Sequence, residues 1–414
     1  MSTVCSRAKG GSLIKLVRIF GKKVEKKRKK IVIQATAIGH SNRGIGQYER
    51  AVLPLLIYHL VNKGHYVTVI LSKDGSCFPM DKSAKFIKLP IRRDNTLFRI
   101  LVEQLYIPWL CRGADAFISL ESVFPLVHFR AKSKLVVIHD IHVLRNKLNP
   151  YEYPEDYSFQ YKLWANMATR RAIKDSTRII VISRFTGDEL SYIFNIPCKK
   201  IITIHCGIDH SRFFPLPGHE RNNAIRAIYQ LPPKFYLYIG PFSHKKNLRL
   251  IIEALGCSQP DGSWNYPVVV AGDTRRNKLY CGTKDLIFKY RVEKQFYFLG
   301  TVPNIHLPLL YRAAHAFLYP SFYEGFGLPP IESMACGTPV IASNRSSLPE
   351  VLGDAVLYVD PNDPNSMVNA MRKINEKTIY EDLKKRGLER AKQFSWDKTA
   401  RLISKAINEE LGDY

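Results

Sequence analysis

Short apolar runs recur along most of the chain, separated by stretches in which apolar residues return every three or four positions. Runs at 31–36, 66–71, 86–89, 116–119, 135–140, 178–183 and 201–205 are bounded by polar or glycine-rich residues. Continuous runs of this length predict strands covered on both faces, as in a parallel sheet. The stretches 46–63, 96–109, 161–173 and 186–194 carry helical periodicity. Strand alternating with helix predicts a doubly wound α/β domain. A second series of strands follows a polar, proline-bearing stretch, at 235–240, 267–272, 296–300, 316–319, 339–343 and 356–359. Helices are expected in it at 248–255, 330–336, 365–376 and 380–394, and an amphipathic one at 396–411. The division is therefore 31–212 and 234–394 as two α/β domains, 213–233 as a linker and 395–414 as a terminal helix. Two domains also suit 414 residues, since a single core stops growing at about 250–300.

The first thirty residues follow another pattern. Leu13, Val17, Phe20 and Val24 make one helical stripe, with Lys15, Arg18, Lys22, Lys26 and Lys29 opposite. A basic amphipathic helix of this kind predicts contact with an anionic membrane through residues 13–30. Gly10, Gly11 and Gly21 favour the alternative, a disordered basic tail. The whole chain is cationic as well, with 62 Lys and Arg against 36 Asp and Glu and a net charge of +26. That balance implies an acidic partner: nucleic acid, anionic membrane or a phosphorylated substrate. No apolar run reaches the length of a membrane span, and no uninterrupted apolar segment marks a signal peptide. The eight cysteines contain no C-x-x-C pair, which predicts reduced thiols in the cytoplasm. His139 and His142 have H-x-x-H spacing, but no further cluster completes a metal site.

Candidate chemistry concentrates in 319–332. An apolar strand leads into Glu324-Gly325-Phe326-Gly327-Leu328-Pro329, and a short helix follows. A glycine loop entering a helix exposes backbone N–H groups and the positive end of a dipole, a place where phosphates bind. Glu324 and Glu332 bracket the loop and could accept hydrogen bonds from sugar hydroxyls. Lys245 and Lys246 stand at the start of the helix at 248–255. Cations there oppose the dipole by roughly a few tenths of a kcal/mol, and a bound pyrophosphate would reverse that. His139 closes a strand, and in open parallel sheets ligands meet the carboxyl ends of strands. The turn at 39–48 is a second strand–glycine–helix junction, although its spacing is not G-x-G-x-x-G.

The ordered series of Glu324-Gly325-Phe326-Gly327-Leu328-Pro329, then the E-S-M-A-C-G-T-P-V-I-A-S run from Glu332, then Leu348-Pro349-Glu350-Val351, resembles the retaining glycosyltransferases of family 4. The resemblance runs from about residue 31 and is sharpest over 236–364. It implies the GT-B fold: two doubly wound Rossmann-like domains facing across a cleft, here with a basic N-terminal extension, and a last helix that crosses back to the first domain. By resemblance Glu324 binds sugar hydroxyls, Glu332 the donor ribose, and His139 the transferred sugar. Lys246 meets the pyrophosphate, with Lys245 as the neighbouring cation. The amides of Gly325, Phe326, Gly327 and Leu328 join them. Gly44 and Gly46 lie over the donor phosphates, and the main chain of Val302 meets the base. Two positions depart from the family: Cys206 stands for an asparagine, and Pro241 for an arginine that shares the phosphate charge. The other main glycosyltransferase fold holds a metal through D-x-D, which is missing here, so no cofactor and no divalent metal are expected.

The expected activity is metal-independent transfer of a hexose, with the anomeric configuration retained, from a nucleotide diphosphate sugar to a hydroxyl. Loop similarity to mannosyltransferases of surface-polysaccharide and lipopolysaccharide pathways points first to GDP-mannose. Glucose, galactose, rhamnose and N-acetylhexosamines stay open beside it. The acceptor is expected to be lipid-linked or a polysaccharide, at the cytoplasmic face of the inner membrane. A GT-B epimerase or phosphorylase is the alternative within the fold. A basic nucleic-acid-binding protein is the alternative outside it, but the chain carries no RNP motif, zinc finger or compact recognition helix, so nucleic acid is not the expected partner.

Overall fold

A computed structural model describes residues 28–39, 44–73, 78, 82–91, 96–145, 159–216, 220–257, 266–272 and 278–412. The basic stripe of residues 13–24 lies outside them. The first sheet has seven parallel strands in the order β3-β2-β1-β4-β5-β6-β7. They are β1 (Lys30–Gln34), β2 (Tyr66–Ser72), β3 (Lys85–Leu89), β4 (Ala114–Ser119), β5 (Ala131–Ile138), β6 (Arg178–Val181) and β7 (Ile201–Thr203). Helices α1 (Ile45–Asn62), α2 (Thr96–Leu110), α3 (Phe159–Asp175) and α4 (Arg184–Phe194) connect them. Ile33 pairs with Val69 on one side and Ile118 on the other. Ile31, Val32 and Ile33 are wholly buried, which is why this strand reads as an unbroken apolar run.

The second sheet has six parallel strands in the order β10-β9-β8-β11-β12-β13. Its strands are β8 (Tyr236–Ile239), β9 (Val268–Ala271), β10 (Phe296–Gly300), β11 (Ala316–Tyr319), β12 (Val340–Ser343) and β13 (Leu357–Val359). Helices α5 (Glu220–Tyr229), α6 (Leu248–Cys257), α7 (Lys278–Lys289), α8 (Leu307–Ala313), α9 (Leu328–Ala335), α10 (Leu348–Leu352), α11 (Pro364–Lys373) and α12 (Lys377–Ala391) surround it, and α13 (Trp396–Glu410) ends the chain. In each sheet the strand order reverses beside the first strand, between β1 and β4 and between β8 and β11. The carboxyl ends there open a crevice, and the two crevices face each other.

Three expectations need correction. The stretch 213–233 is not only a linker, because it contains α5. Arg226 Nη2 donates to Ala313 O at 3.2 Å, and Tyr229 shares a 2.7 Å hydrogen bond with His306, so α5 packs on α8. A polar first turn, Glu220-Arg221-Asn222-Asn223, and flanking prolines hid it; Ile225 is wholly buried. β5 starts at Ala131 because Lys132 and Lys134 alternate with buried neighbours, and it ends at Ile138, leaving His139 and Asp140 beyond the ladder. Helix α9 starts at Leu328, since its first-turn prolines have no N–H to satisfy.

The last helix crosses to the first domain. Asp397 lies 2.9 Å from His59, Asn408 Oδ1 lies 2.7 Å from His65 Nε2, and Glu410 pairs with Arg178 at 2.9 Å. Trp396 meets the Tyr48 ring edge-on at 5.5 Å. Gly207 lies so close that a Cβ there would come 2.1 Å from the Trp396 amide. One apolar cluster runs through both domains as a result.

Candidate active site

The loop after β11 reaches across to the first domain. A Cβ on Gly325 would stand 2.0 Å from the His139 carbonyl oxygen, so only glycine permits this approach. Gly327, at φ 93°, turns the chain into α9 in the left-handed region. The loop is pinned through Glu324: its amide donates to Ser346 Oγ and its carbonyl accepts from Ser347 Oγ, both at 2.9 Å.

Below the loop lies the turn before α6. Asn247, left-handed at φ 53°, donates its side-chain amide to Pro320 O and Pro361 O. The Phe322 amide donates to Lys245 O at 2.9 Å. Lys246 Nζ is thereby held 2.6 Å from Glu324 Oε1, and it also donates to Tyr319 Oη at 2.7 Å. Lys245 reaches Asp140 Oδ2 of the opposite domain at 3.5 Å and lies over the Tyr323 ring.

The charges here are unequally balanced. Burial would raise the Glu324 carboxyl, but Lys246 and Lys245 outweigh it and hold it below the ordinary range. At Lys246 burial wins: with Lys245 it holds the ammonium below its ordinary value despite Glu324. Two lysines face two ionised carboxylates here, so an incoming diphosphate must displace at least one carboxylate to gain a cation. Burial would also raise Asp140, but Lys245 and His142 hold it low.

His139 stands at the end of β5. Its Nε2 lies 2.8 Å from Leu120 O, which can only accept, so Nε2 carries the proton and Nδ1 is left as an acceptor. Tyr48 meets the ring edge-on at 4.7 Å, and burial keeps the imidazole neutral by lowering its pKa.

Glu332 is one turn into α9. Oε1 accepts from Gln47 Nε2 of the opposite domain at 3.2 Å and Oε2 from Tyr311 Oη at 3.1 Å. Burial raises its pKa. Beside it is a cavity of about 220 Å³ whose lining includes Gln47, Arg50, Arg212, Asn304, Leu328 and Glu332. Val302 is buried in the core, and the residues of its turn that line the cavity are Asn304 and Leu307. Gly44 precedes α1 at φ 56°, its carbonyl accepting from the Gln47 and Tyr48 amides. Gly46 is buried in the first turn.

The structure thus gathers Lys245, Lys246, Glu324, Gly325 and His139 at one end of the cleft and Glu332 with the cavity at the other. Asp140 and Gln47 were not singled out from sequence, because their partners lie in the other domain. Glu350 is a third such residue. It accepts from the Arg184 and Phe185 amides at the start of α4, at 2.8 and 3.0 Å, and from His205 Nε2 at 2.7 Å. Burial is outweighed there by His205 and the two amides, and its pKa is lowered. Its L-P-E-V motif was visible, but the motif does not say what Glu350 touches.

Comparison with known proteins matches residues 53–212 to Glycosyltransferase Family 4 and residues 222–394 to Glycosyl transferases group 1. The O-antigen chain mannosyltransferase B of Escherichia coli is 33% identical over 298 residues, covering 70% of this chain and 73% of that one. The O-antigen chain mannosyltransferase RfbU of Salmonella typhimurium is 28% identical over 353 residues, covering 84% and 91%. The solved sucrose-phosphate synthase of Thermosynechococcus elongatus superposes with a TM-score of 0.71 at 20% identity, covering 94% of this chain and all of that one.

Proposed function

The chain belongs to glycosyltransferase family 4, a GT-B glycosyltransferase of group 1, and we propose that it transfers mannose from GDP-mannose to a hydroxyl of a lipid-linked or polysaccharide acceptor. The anomeric configuration is retained and no divalent metal takes part. The enzyme works at the cytoplasmic face of the inner membrane. The mannosyltransferase relatives support the choice of sugar. The observation that carries the reading is the buried Lys246–Glu324 pair at 2.6 Å, set at the amino end of α9 and faced by His139.

The donor pyrophosphate lies against Lys246, Lys245 and the amides of Gly325, Phe326, Gly327 and Leu328. As the bond from the anomeric carbon to the phosphate oxygen breaks, its electron pair leaves with the diphosphate. Cations and amides already aimed at that charge lower the barrier. Lys245 exchanges Asp140 for phosphate, and Glu332 exchanges Gln47 for a ribose hydroxyl. Glu324 accepts from sugar hydroxyls, and His139 meets the sugar from the opposite domain through Nδ1. The acceptor oxygen attacks the face the diphosphate leaves, and its proton passes to the departing phosphate oxygen. Gly44 and Gly46 cover the phosphates, and the turn at Val302 meets the base.

Calorimetry with GDP, UDP, ADP and dTDP in EDTA tests this, followed by radiolabelled sugar transfer. GDP should bind most tightly and transfer should persist in EDTA. Binding of no nucleoside diphosphate, or turnover that dies in EDTA and revives with magnesium, would overturn it. A different preferred base would move the donor assignment and leave the transfer reaction standing.

A further inference from the structure

Helix α2 turns Leu101, Leu105 and Trp109 outward at i, i+4 and i+8, and they are 61, 69 and 59% exposed. Tyr106 is exposed beside them. Contiguous apolar surface of this kind marks an interaction site. The patch extends past the helix. The Leu126 and Val127 amides donate to Gln104 Oε1 of α2, and Val127 is exposed. Ile100 of α2 packs in one small cluster with Trp164 of α3, whose neighbours Leu163 and Met167 face solvent.

The described stretches that carry this patch are net positive. Residues 96–138 and 159–175 hold nine Lys and Arg and four Asp and Glu. All four acids are engaged: Glu103 and Glu121 with Arg99, Asp115 with Lys132, and Asp175 with Arg171. Arg112 and Arg130 are exposed and stand just before Ala114 and Ala131, which pair across β4 and β5. The Arg112 amide donates to the carbonyl of Trp109, so the cations begin where the apolar stripe ends.

The inner side of α2 borders the cleft. Glu103 Oε1 accepts from Thr36 Oγ1 at 3.1 Å, just past the carboxyl end of β1. One helix therefore presents apolar surface outward and touches the crevice inward.

We propose that this face docks on an anionic phospholipid bilayer. The leucines of α2 enter the acyl boundary, Tyr106 and Trp109 lie at headgroup level, and Arg112 and Arg130 meet lipid phosphates. A bilayer fits better than a protein because an apolar centre is bordered by cations while the four acids of these described stretches are each paired. The purpose of the docking, bringing a lipid-linked acceptor to the cleft, rests on the function proposed above; the docking itself does not.

The test is flotation of the full chain with phosphatidylcholine vesicles made with and without phosphatidylglycerol. Wild-type protein should float only with the anionic vesicles. Leu105→Glu, and separately Trp109→Glu, should each weaken partitioning about tenfold, and Arg112→Glu should weaken it on anionic vesicles alone. Leu105→Gln, a milder change, should fall between. GDP binding by calorimetry should be unchanged in all four, which reports that fold and cleft are intact. Variants that bind GDP and float like wild type would overturn the proposal. So would a wild-type dimer that Leu105→Glu converts to monomer in sedimentation, because a second copy would then own the patch. Vesicle binding by a wild type that binds no nucleoside diphosphate would sink the glycosyl-transfer reading and leave the docking surface in place.

Discussion

Replacing Lys246 by methionine would keep the side-chain bulk and remove the charge. Glu324 would stay in place with its nearest counter-ion gone. The pair is 16% and 10% exposed at 2.6 Å, and breaking a buried pair costs about 3–5 kcal/mol. Water entering the cleft puts the expected loss at the low end, about 3 kcal/mol, or about 6–12 °C in Tm for a domain of this size. Glu324 is held below the ordinary glutamate range by the lysines, against burial. Its contribution is therefore complete above its unfolded value and disappears as pH falls through the lowered folded one. The stability gap between Lys246→Met and wild type should close accordingly as the solution is acidified. Adding Glu324→Gln to Lys246→Met removes the stranded charge and should restore about 2 kcal/mol. Turnover should not return, because losing one preorganised donor costs about 10²–10³ in kcat. Thermal melts from pH 3 to 8, with single-turnover sugar transfer, separate the two effects. A double variant as unstable as Lys246→Met, or a single variant with turnover within about twofold of wild type, would refute the reasoning.

Gly325→Ala should cut kcat/KM at least about a hundredfold with little change in far-ultraviolet dichroism, because the added methyl meets the His139 carbonyl and holds the domains apart; normal turnover would mean the loop does not close on β5. Glu332→Gln should leave Tm unchanged or higher at neutral pH. Burial raises this carboxyl, so its contribution is fullest below its unfolded value and is lost as pH rises; GDP affinity should fall about tenfold, and unchanged affinity would take Glu332 out of the donor site. Glu350→Ala leaves two α4 amides without their acceptor and should cost about 1–3 kcal/mol in urea unfolding; a loss under about 0.5 kcal/mol would deny the contact any role. Burial, aided by the nearby Lys234 charge, lowers the His315 imidazole to about 4, so stability should decline as pH falls from its unfolded value toward 4. His315→Phe should flatten that decline, and an unaltered pH profile would assign it elsewhere.

The parallel sheets were plain in the sequence because strands covered on both faces must be apolar throughout, as in Ile31, Val32 and Ile33. Helix α5 was not, because its first turn is wholly polar and Ile228 of its second half faces solvent, so the residues that hold it, Ile225, Arg226 and Tyr229, make no stripe to read. The glycine loop with Glu324 and Lys246 was visible as two separate signals. What sequence could not supply was their union: 78 positions separate the pair, and only the turn at Asn247 brings them together. The bridges between domains were hidden for a related reason. Asp140, Gln47 and Glu350 look like ordinary surface polar residues until the opposite domain supplies Lys245, Glu332 and the start of α4.

The chain's final helix has a consequence for the order in which the protein is made. Trp396, Ala400, Ile403 and Ile407 are buried, and α13 lays them along α1, which leaves the ribosome far earlier. The first half of the molecule emerges with an oily flank and keeps it until the whole second half has been translated. Its maturation thus waits on α13, and a transcript cut short just before residue 396 would yield two nearly finished lobes, the older one still sticky.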